Sequence, residues 1–135
     1  MRRLVYFCSA ALFALASSSA QAELAYTEIK GYGGVPLNVI ETGNQEGPGI
    51  LLIHGFGQGS LAFRLQMESG LAADFHIVAF DMRGHGLSGK PWQVEQIAPS
   101  EAWAGDVAAV IQATGLEKPV IVGWSYGGFV VSDYL

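Results

Sequence analysis

The stretch Val120-Ile121-Val122-Gly123-Trp124-Ser125-Tyr126-Gly127-Gly128 constrains this chain more than any other. A β-branched apolar run enters Gly-x-Ser-x-Gly and leaves it as a second apolar segment, the strand, tight turn and helix order of a nucleophile elbow. Such a turn forces the serine backbone into a strained conformation and brings the strand and helix so close that the flanking glycines can carry no side chain. Ser125 is therefore the candidate nucleophile. The bare pattern also fits a plain glycine-rich loop, and it is the preceding strand that favours the elbow.

Other apolar runs repeat the context. Residues 50–53 (Ile-Leu-Leu-Ile) and 76–80 (His-Ile-Val-Ala-Phe) lack polar alternation, as strands covered on both faces do. Between them, residues 60–75 place Leu61, Leu65, Met67, Leu71 and Ala72 at roughly helical spacing with an interruption at Gly70. Pro99-Ser100-Glu101 offers a helix start, Trp103, Val107, Val110 and Ile111 trace its apolar face, and Gly115 stops it. Residues 82–96 read as loop, and the segment after the elbow as a further helix over 129–135. Residues 24–30 and 35–41, joined by Gly31-Tyr32-Gly33-Gly34, alternate like an antiparallel hairpin at the sheet margin, where Pro36 is tolerated. Strand, helix, strand, helix, strand predicts an α/β fold, a mainly parallel sheet with helices on both faces.

Only 14% of the residues are charged and the formal net charge is −5, which excludes a nucleic-acid partner. Residues 1–22 read as a secretory signal: Arg2 and Arg3, an apolar core over 4–16 too short to span a bilayer, and Ala20-Gln21-Ala22 before a cleavage point. An exported product without stable membrane insertion is expected, with one domain over 23–135. The sole cysteine, Cys8, lies inside the signal core, so that product would hold no disulfide. No Cys/His cluster has metal-ligand spacing and no phosphate loop occurs, so neither metal nor cofactor is expected.

Three landmarks, His54-Gly55-Phe56-Gly57, Asp81-Met82-Arg83-Gly84-His85-Gly86-Leu87-Ser88 and the elbow, each follow one of the three buried strands. In that order and spacing the chain resembles the α/β-hydrolase fold superfamily in its serine-nucleophile branch. The resemblance implies that the hairpin and the three buried strands are the first five strands of an eight-stranded sheet. It makes the backbone N–H groups of Phe56 and Tyr126 the oxyanion hole and implies acyl transfer on a small carbonyl substrate, most simply a carboxylic ester. Serine also argues against the dehalogenase and epoxide-hydrolase branches, which place an aspartate at this position.

The order Ser, acid, His in this fold leaves His54 and His85 outside a triad, since both precede Ser125. His54 is expected beneath the oxyanion loop and His85 in a tight turn braced by Asp81 and Arg83, through an ion pair or backbone hydrogen bonds; His76 is expected to be structural. Asp106 is expected to be a solvated or capping group. Trp124, Tyr126, Phe56 and Trp92 are candidates for an aromatic rim suited to an apolar or ring-bearing substrate, with core packing the alternative for Trp124 and Trp92. The expected acid and base lie beyond Leu135, making this the N-terminal part of an exported serine hydrolase, inactive by itself. The competing expectation is a non-catalytic binding module or a decayed hydrolase remnant of unknown oligomeric state.

Overall fold

The computed structural model describes residues 23–135, so the signal segment proposed for residues 1–22 lies outside the described residues. The strands are β1 (Ala25–Lys30), β2 (Pro36–Gly43), β3 (Gly49–Ile53), β4 (His76–Phe80) and β5 (Val120–Gly123). They form one sheet in the order β1-β2-β4-β3-β5. β3 lies between β4 and β5, parallel to both, with Ile53 level with Phe80 on one side and with Gly123 on the other. The hairpin β1–β2 joins β4 antiparallel. The sheet is thus mixed: β3 and β4 are buried as their apolar runs require, the antiparallel pairs come from the hairpin, and β5, expected to be a third buried strand, is instead an edge strand with Val120 and Val122 exposed.

Side-chain alternation divides the core in two. Leu37 and Val39 of β2, Leu51 and Ile53 of β3, and Val78 and Phe80 of β4 pack on one face against Trp103, Val107 and Val110 of α2 (Ser100–Thr114) and Val130 of α3 (Tyr126–Tyr134). The intervening Ile40, Leu52, Ile77 and Ala79 meet Met67 and Ala72 on the opposite face. That second layer is broken. Where the spacing predicts one interrupted helix over 60–75, there is a 3₁₀ turn (Ser60–Phe63), the single turn α1 (Arg64–Met67) and another 3₁₀ turn (Gly70–Ala73). Only Met67 and Ala72 of its apolar positions are buried, while Leu61, Leu65 and Leu71 are exposed.

α2 matches its expected bounds. Gly115 ends it at φ +68°, and the Leu116 N–H donates to the Ile111 carbonyl at 3.1 Å. α3 starts earlier than the apolar pattern predicts, at Tyr126 directly after Ser125, because the glycines at 127 and 128 hide the helical period. No helix among the described residues is long and apolar enough to cross a membrane.

The largest departure concerns Asp106. Expected in water or as a cap, it is buried on the α2 face that carries Trp103, Val107 and Val110. Its carboxylate accepts from Arg83 Nε at 2.7 Å and from a terminal Arg83 nitrogen at 2.6 Å, and from the Tyr32 N–H at 2.9 Å. Arg83 also donates to the carbonyls of Tyr32 and Gln96. The pair ties the loop after β4 to α2 and to the turn between β1 and β2. Removing one partner of a buried pair leaves an uncompensated charge, so Asp106→Ala is expected to lower stability by about 3–5 kcal/mol. Urea denaturation reads this as a lower midpoint, and an unchanged midpoint would show that the pair is not the tie described.

Candidate active site

The carboxyl ends of the three parallel strands meet at one edge of the sheet, the place where α/β sheets put their ligands. Each strand delivers one landmark there: His54–Gly57 after β3, Asp81–Ser88 after β4 and Trp124–Ser125 after β5.

Ser125 sits at φ +53°, ψ −117°, in a region L-residues rarely adopt, and its side chain is exposed. Holding such a conformation costs about 1–3 kcal/mol, so the surroundings must impose it. They do so by close contact. A Cβ on Gly127 would fall 2.3 Å from the Ile53 carbonyl oxygen and 2.8 Å from that of His54; one on Gly123 would fall 2.5 Å from the Gly127 oxygen. Both flanking glycines are therefore required because backbone packs on backbone. The Trp124 N–H donates to the Ile53 carbonyl at 2.9 Å, carrying the ladder up to the turn.

The loop after β3 rests against the same turn. A Cβ on Gly55 would lie 3.2 Å from Ser125 Cβ and 3.2 Å from Trp124, and Gly57 uses φ +72° to turn the chain. Phe56 and Tyr126, the two expected oxyanion donors, approach each other edge to face with ring centroids 6.3 Å apart. Among the described residues, neither backbone N–H donates to a protein acceptor. The Gly127 and Gly128 N–H groups, by contrast, are taken by the carbonyls of Trp124 and Ser125.

Of the three histidines, His54 and His76 are committed elsewhere. His54, buried beneath the loop, accepts from the Met82 N–H at Nε2 (3.0 Å), so its proton is on Nδ1, 2.7 Å from the Gly55 carbonyl. It binds the first landmark to the second, as expected of a structural residue. Burial pushes this imidazole below its ordinary range and His85 adds to the effect, outweighing the Gly55 hydrogen bond and the Asp81 charge. His85 donates from Nδ1 to the Arg83 carbonyl at 3.0 Å. His76 faces Glu41 at 3.0 Å at the opposite end of β4.

Asp81 does not pair with Arg83, whose charge goes to Asp106. Of the two expectations for it, backbone hydrogen bonding holds: Asp81 accepts from the N–H of Ser60 at 2.6 Å and of Leu87 at 2.8 Å, and from the side chains of Ser60 and Asn38. Burial pushes its carboxyl up, but these bonds prevail and hold it below the usual carboxylate range. It fastens the second landmark to β2 and to the segment after the oxyanion loop.

Beside the elbow lies an open cavity of about 590 Å³, lined by Phe56, Gly57, Arg83, Gly84, His85, Ile97, Ala98, Trp103 and Tyr126. Phe56 and Tyr126 belong to the expected rim. Trp92 does not line it and is 94% exposed; Trp103 does, meeting Tyr126 edge to face at 5.5 Å. Trp103 was legible only as a core position of α2, whose inner face also reaches the cavity. No group of three or more His, Cys, Asp or Glu among the described residues is placed to hold a metal.

Residues 48–135 match the family model described as the alpha/beta hydrolase fold. The chain belongs to the α/β-hydrolase family. Among its relatives in this family, epoxide hydrolase 1 of Caenorhabditis elegans is 34% identical over 100 residues, which are 74% of this chain and 24% of that protein. A solved esterase from Rhodococcus is 41% identical with a TM-score of 0.74, covering 82% of this chain and 40% of its own. Epoxide hydrolase A of Mycobacterium thermoresistibile is 27% identical with a TM-score of 0.75, covering 83% and 34%. This α/β-hydrolase chain thus spans between a quarter and two-fifths of the length of these relatives.

Two predictions follow from the contacts. Gly127→Ala forces a methyl group into the Ile53 carbonyl and is expected to cost about 1–3 kcal/mol. Gly128→Ala meets nothing within 4 Å and should stabilise the helix by about 0.5–1 kcal/mol, so thermal midpoints move in opposite directions. Equal shifts would contradict the close approach. In pH, the depressed His54 means that the unfolded chain binds that proton more readily than the native one. The stability held by neutral His54 is full above about pH 6.5 and lost as pH falls below it. The contribution of Asp81 is present above its unfolded value and lost at lower pH still, as pH falls through its depressed native value. Denaturation midpoints measured from pH 8 to 3 should therefore fall from about pH 6.5 downward, and the His54→Gln variant should lose the earlier part of that decline.

Proposed function

We propose that this chain carries the nucleophile and oxyanion hole of a serine hydrolase that acts by acyl transfer on carboxylic esters. The observation that carries the reading is the geometry of Ser125: a strained, exposed serine at a strand-to-helix turn, next to a loop and a helix start whose N–H groups are unspent. In the proposed reaction the Ser125 hydroxyl oxygen attacks the ester carbonyl carbon and its proton passes to a base. The carbonyl oxygen gains negative charge and is received by the Phe56 and Tyr126 N–H groups. Collapse breaks the bond to the alcohol, which leaves with the proton, and water then releases the acid from the serine ester.

Several curated relatives are named epoxide hydrolases, and the identity of the nucleophile supports the ester chemistry over theirs. A serine oxygen that opened an epoxide would form an ether, which water does not cleave. The same oxygen on a carbonyl forms an ester, which water does cleave. Ser125 therefore favours esters, as does the likeness to the Rhodococcus esterase.

The activating base is proposed to come from outside these 135 residues. His54 uses both ring nitrogens, on the Gly55 carbonyl and the Met82 N–H, His76 lies at the far end of the sheet, and Asp81 and Asp106 are saturated by structural partners; His85 is fixed in the turn after β4 through Nδ1, and in this fold the base follows the nucleophile in the chain. Secretion belongs to the same proposal and is supported by Arg2, Arg3, the apolar core over 4–16 and Ala20-Gln21-Ala22. The competing reading, a binding module without catalysis, leaves the strained serine and the two unspent donors without a use.

The test is covalent labelling by a fluorophosphonate. The complete protein is expected to be labelled and to lose labelling in Ser125→Ala; a folded complete protein that is not labelled would overturn the proposal. The 135-residue chain alone should hydrolyse p-nitrophenyl acetate no faster than buffer. Turnover abolished by Ser125→Ala would show that it already holds a base.

A further inference from the structure

The end of the sheet away from the elbow carries a second cavity, of about 530 Å³. Its walls are the loop before β3 (residues 45–49), His76 at the start of β4 and the turn after α2 (residues 115–117). They are set by packing too close for side chains. A Cβ on Gly47 would fall 2.2 Å from the Asp74 carbonyl oxygen and one on Gly49 would fall 2.7 Å from the Leu116 side chain, while Gly115 turns the chain at φ +68°. The His76 N–H donates to the Pro48 carbonyl at 3.1 Å and ties two of the walls together. The cavity thus has a preformed shape, and its volume is that of a small-molecule site.

His76 gives this space its chemistry. The residue is 5% exposed, yet only one of its ring nitrogens is used: Nε2 lies 3.0 Å from the Glu41 carboxylate. An ionised carboxylate only accepts hydrogen bonds, so the ring proton sits on Nε2 and Nδ1 holds a lone pair. Among the described residues Nδ1 has no hydrogen-bond partner, and it is not sealed in either, since the enclosed side-chain polar atom left without a partner is Thr42 Oγ1. The small accessible part of the ring therefore includes Nδ1, and the ring lines this cavity. A carboxylate on the far nitrogen fixes the tautomer and orientation of an imidazole and strengthens the near nitrogen as an acceptor. Glu41 in this way holds a buried acceptor toward the open space.

The charge around that acceptor has one sign. Glu46 and Glu117 lie in the lining, and no Lys or Arg does. Among the described residues His76 and these carboxylates are not gathered as a group that could hold a metal ion. An occupant suited to the cavity offers an N–H to Nδ1 and a positive charge to Glu46 and Glu117. An ammonium or a guanidinium group meets both conditions, and a quaternary ammonium meets only the second.

We propose that this cavity is a binding site for a small organic cation bearing N–H donors. Gly49 and His76 are the first residues of β3 and β4, so the site stands at the opposite end of the sheet from Ser125 and does not depend on the serine-hydrolase reading.

Calorimetric titration of the complete protein with agmatine, which carries a guanidinium and an ammonium group, tests the proposal at about pH 8, where a free imidazole is neutral. Saturable binding is expected with Kd below about 1 mM. Pentyltrimethylammonium, a cation without any N–H, should bind at least tenfold more weakly. Combining Glu46→Gln with Glu117→Gln, both exposed positions, should weaken agmatine tenfold or more, and Ser125→Ala should leave its affinity unchanged. Nitrogen NMR on histidine-labelled protein reads the hydrogen bond itself. His76 is the one histidine of the three with its proton on Nε2, which identifies its signals, and its Nδ1 resonance should move with agmatine and stay in place with the quaternary cation. Absence of saturable binding, equal affinity for the quaternary cation, an affinity unmoved by the paired Glu→Gln substitutions, or binding lost in Ser125→Ala would each overturn the proposal. None of these outcomes bears on fluorophosphonate labelling, so the two readings fail separately.

Discussion

Backbone contact between the start of α3 and the end of β3 is the constraint on which the rest of the site depends. Gly127 lies so near the carbonyls of Ile53 and His54 that no side chain fits, and Gly123 is as close to Gly127. That approach bends the chain sharply enough to hold Ser125 at positive φ, and it sets the first peptide N–H of α3 beside the loop that follows β3. Strain at the serine is thus sustained by packing that a single methyl group would undo. The stability of the parallel core and the position of the nucleophile are the same physical fact viewed at two scales.

Around this contact, two buried polar groups act as rivets. Asp81 gathers N–H donors from Ser60 and Leu87, and Asp106 holds Arg83 against α2. His54 joins the loops after β3 and β4 through the Met82 N–H. The landmark residues that look catalytic in a list of side chains are, in the fold, mostly what keeps two glycine-rich loops still. Rigidity has a chemical purpose here, because an oxyanion donor displaced by a fraction of an ångström loses much of its value.

The sequence made the parallel core legible because β3, β4 and β5 are apolar runs with turn residues at each end, and it made the elbow legible because glycine spacing there records a steric requirement. Residues 60–75 were less legible. Their apolar spacing fits a helix, but the structure breaks the segment into single turns with all three of its leucines exposed. The Arg83–Asp106 pair joins residues 23 apart and has no local signature, although Asp106 does fall on the buried stripe of Trp103, Val107 and Val110. Aromatic content alone could not separate Trp92, fully in solvent, from Trp103, which lines the cavity.

The central claim is that Ser125 stands between two unspent backbone donors, and a crystal structure of the complete protein carrying a phosphonate on Ser125 tests it most directly. The account predicts one phosphonyl oxygen at about 2.7–3.1 Å from both the Phe56 and Tyr126 nitrogens. An oxygen directed to solvent, or held by any other pair of groups, would contradict it.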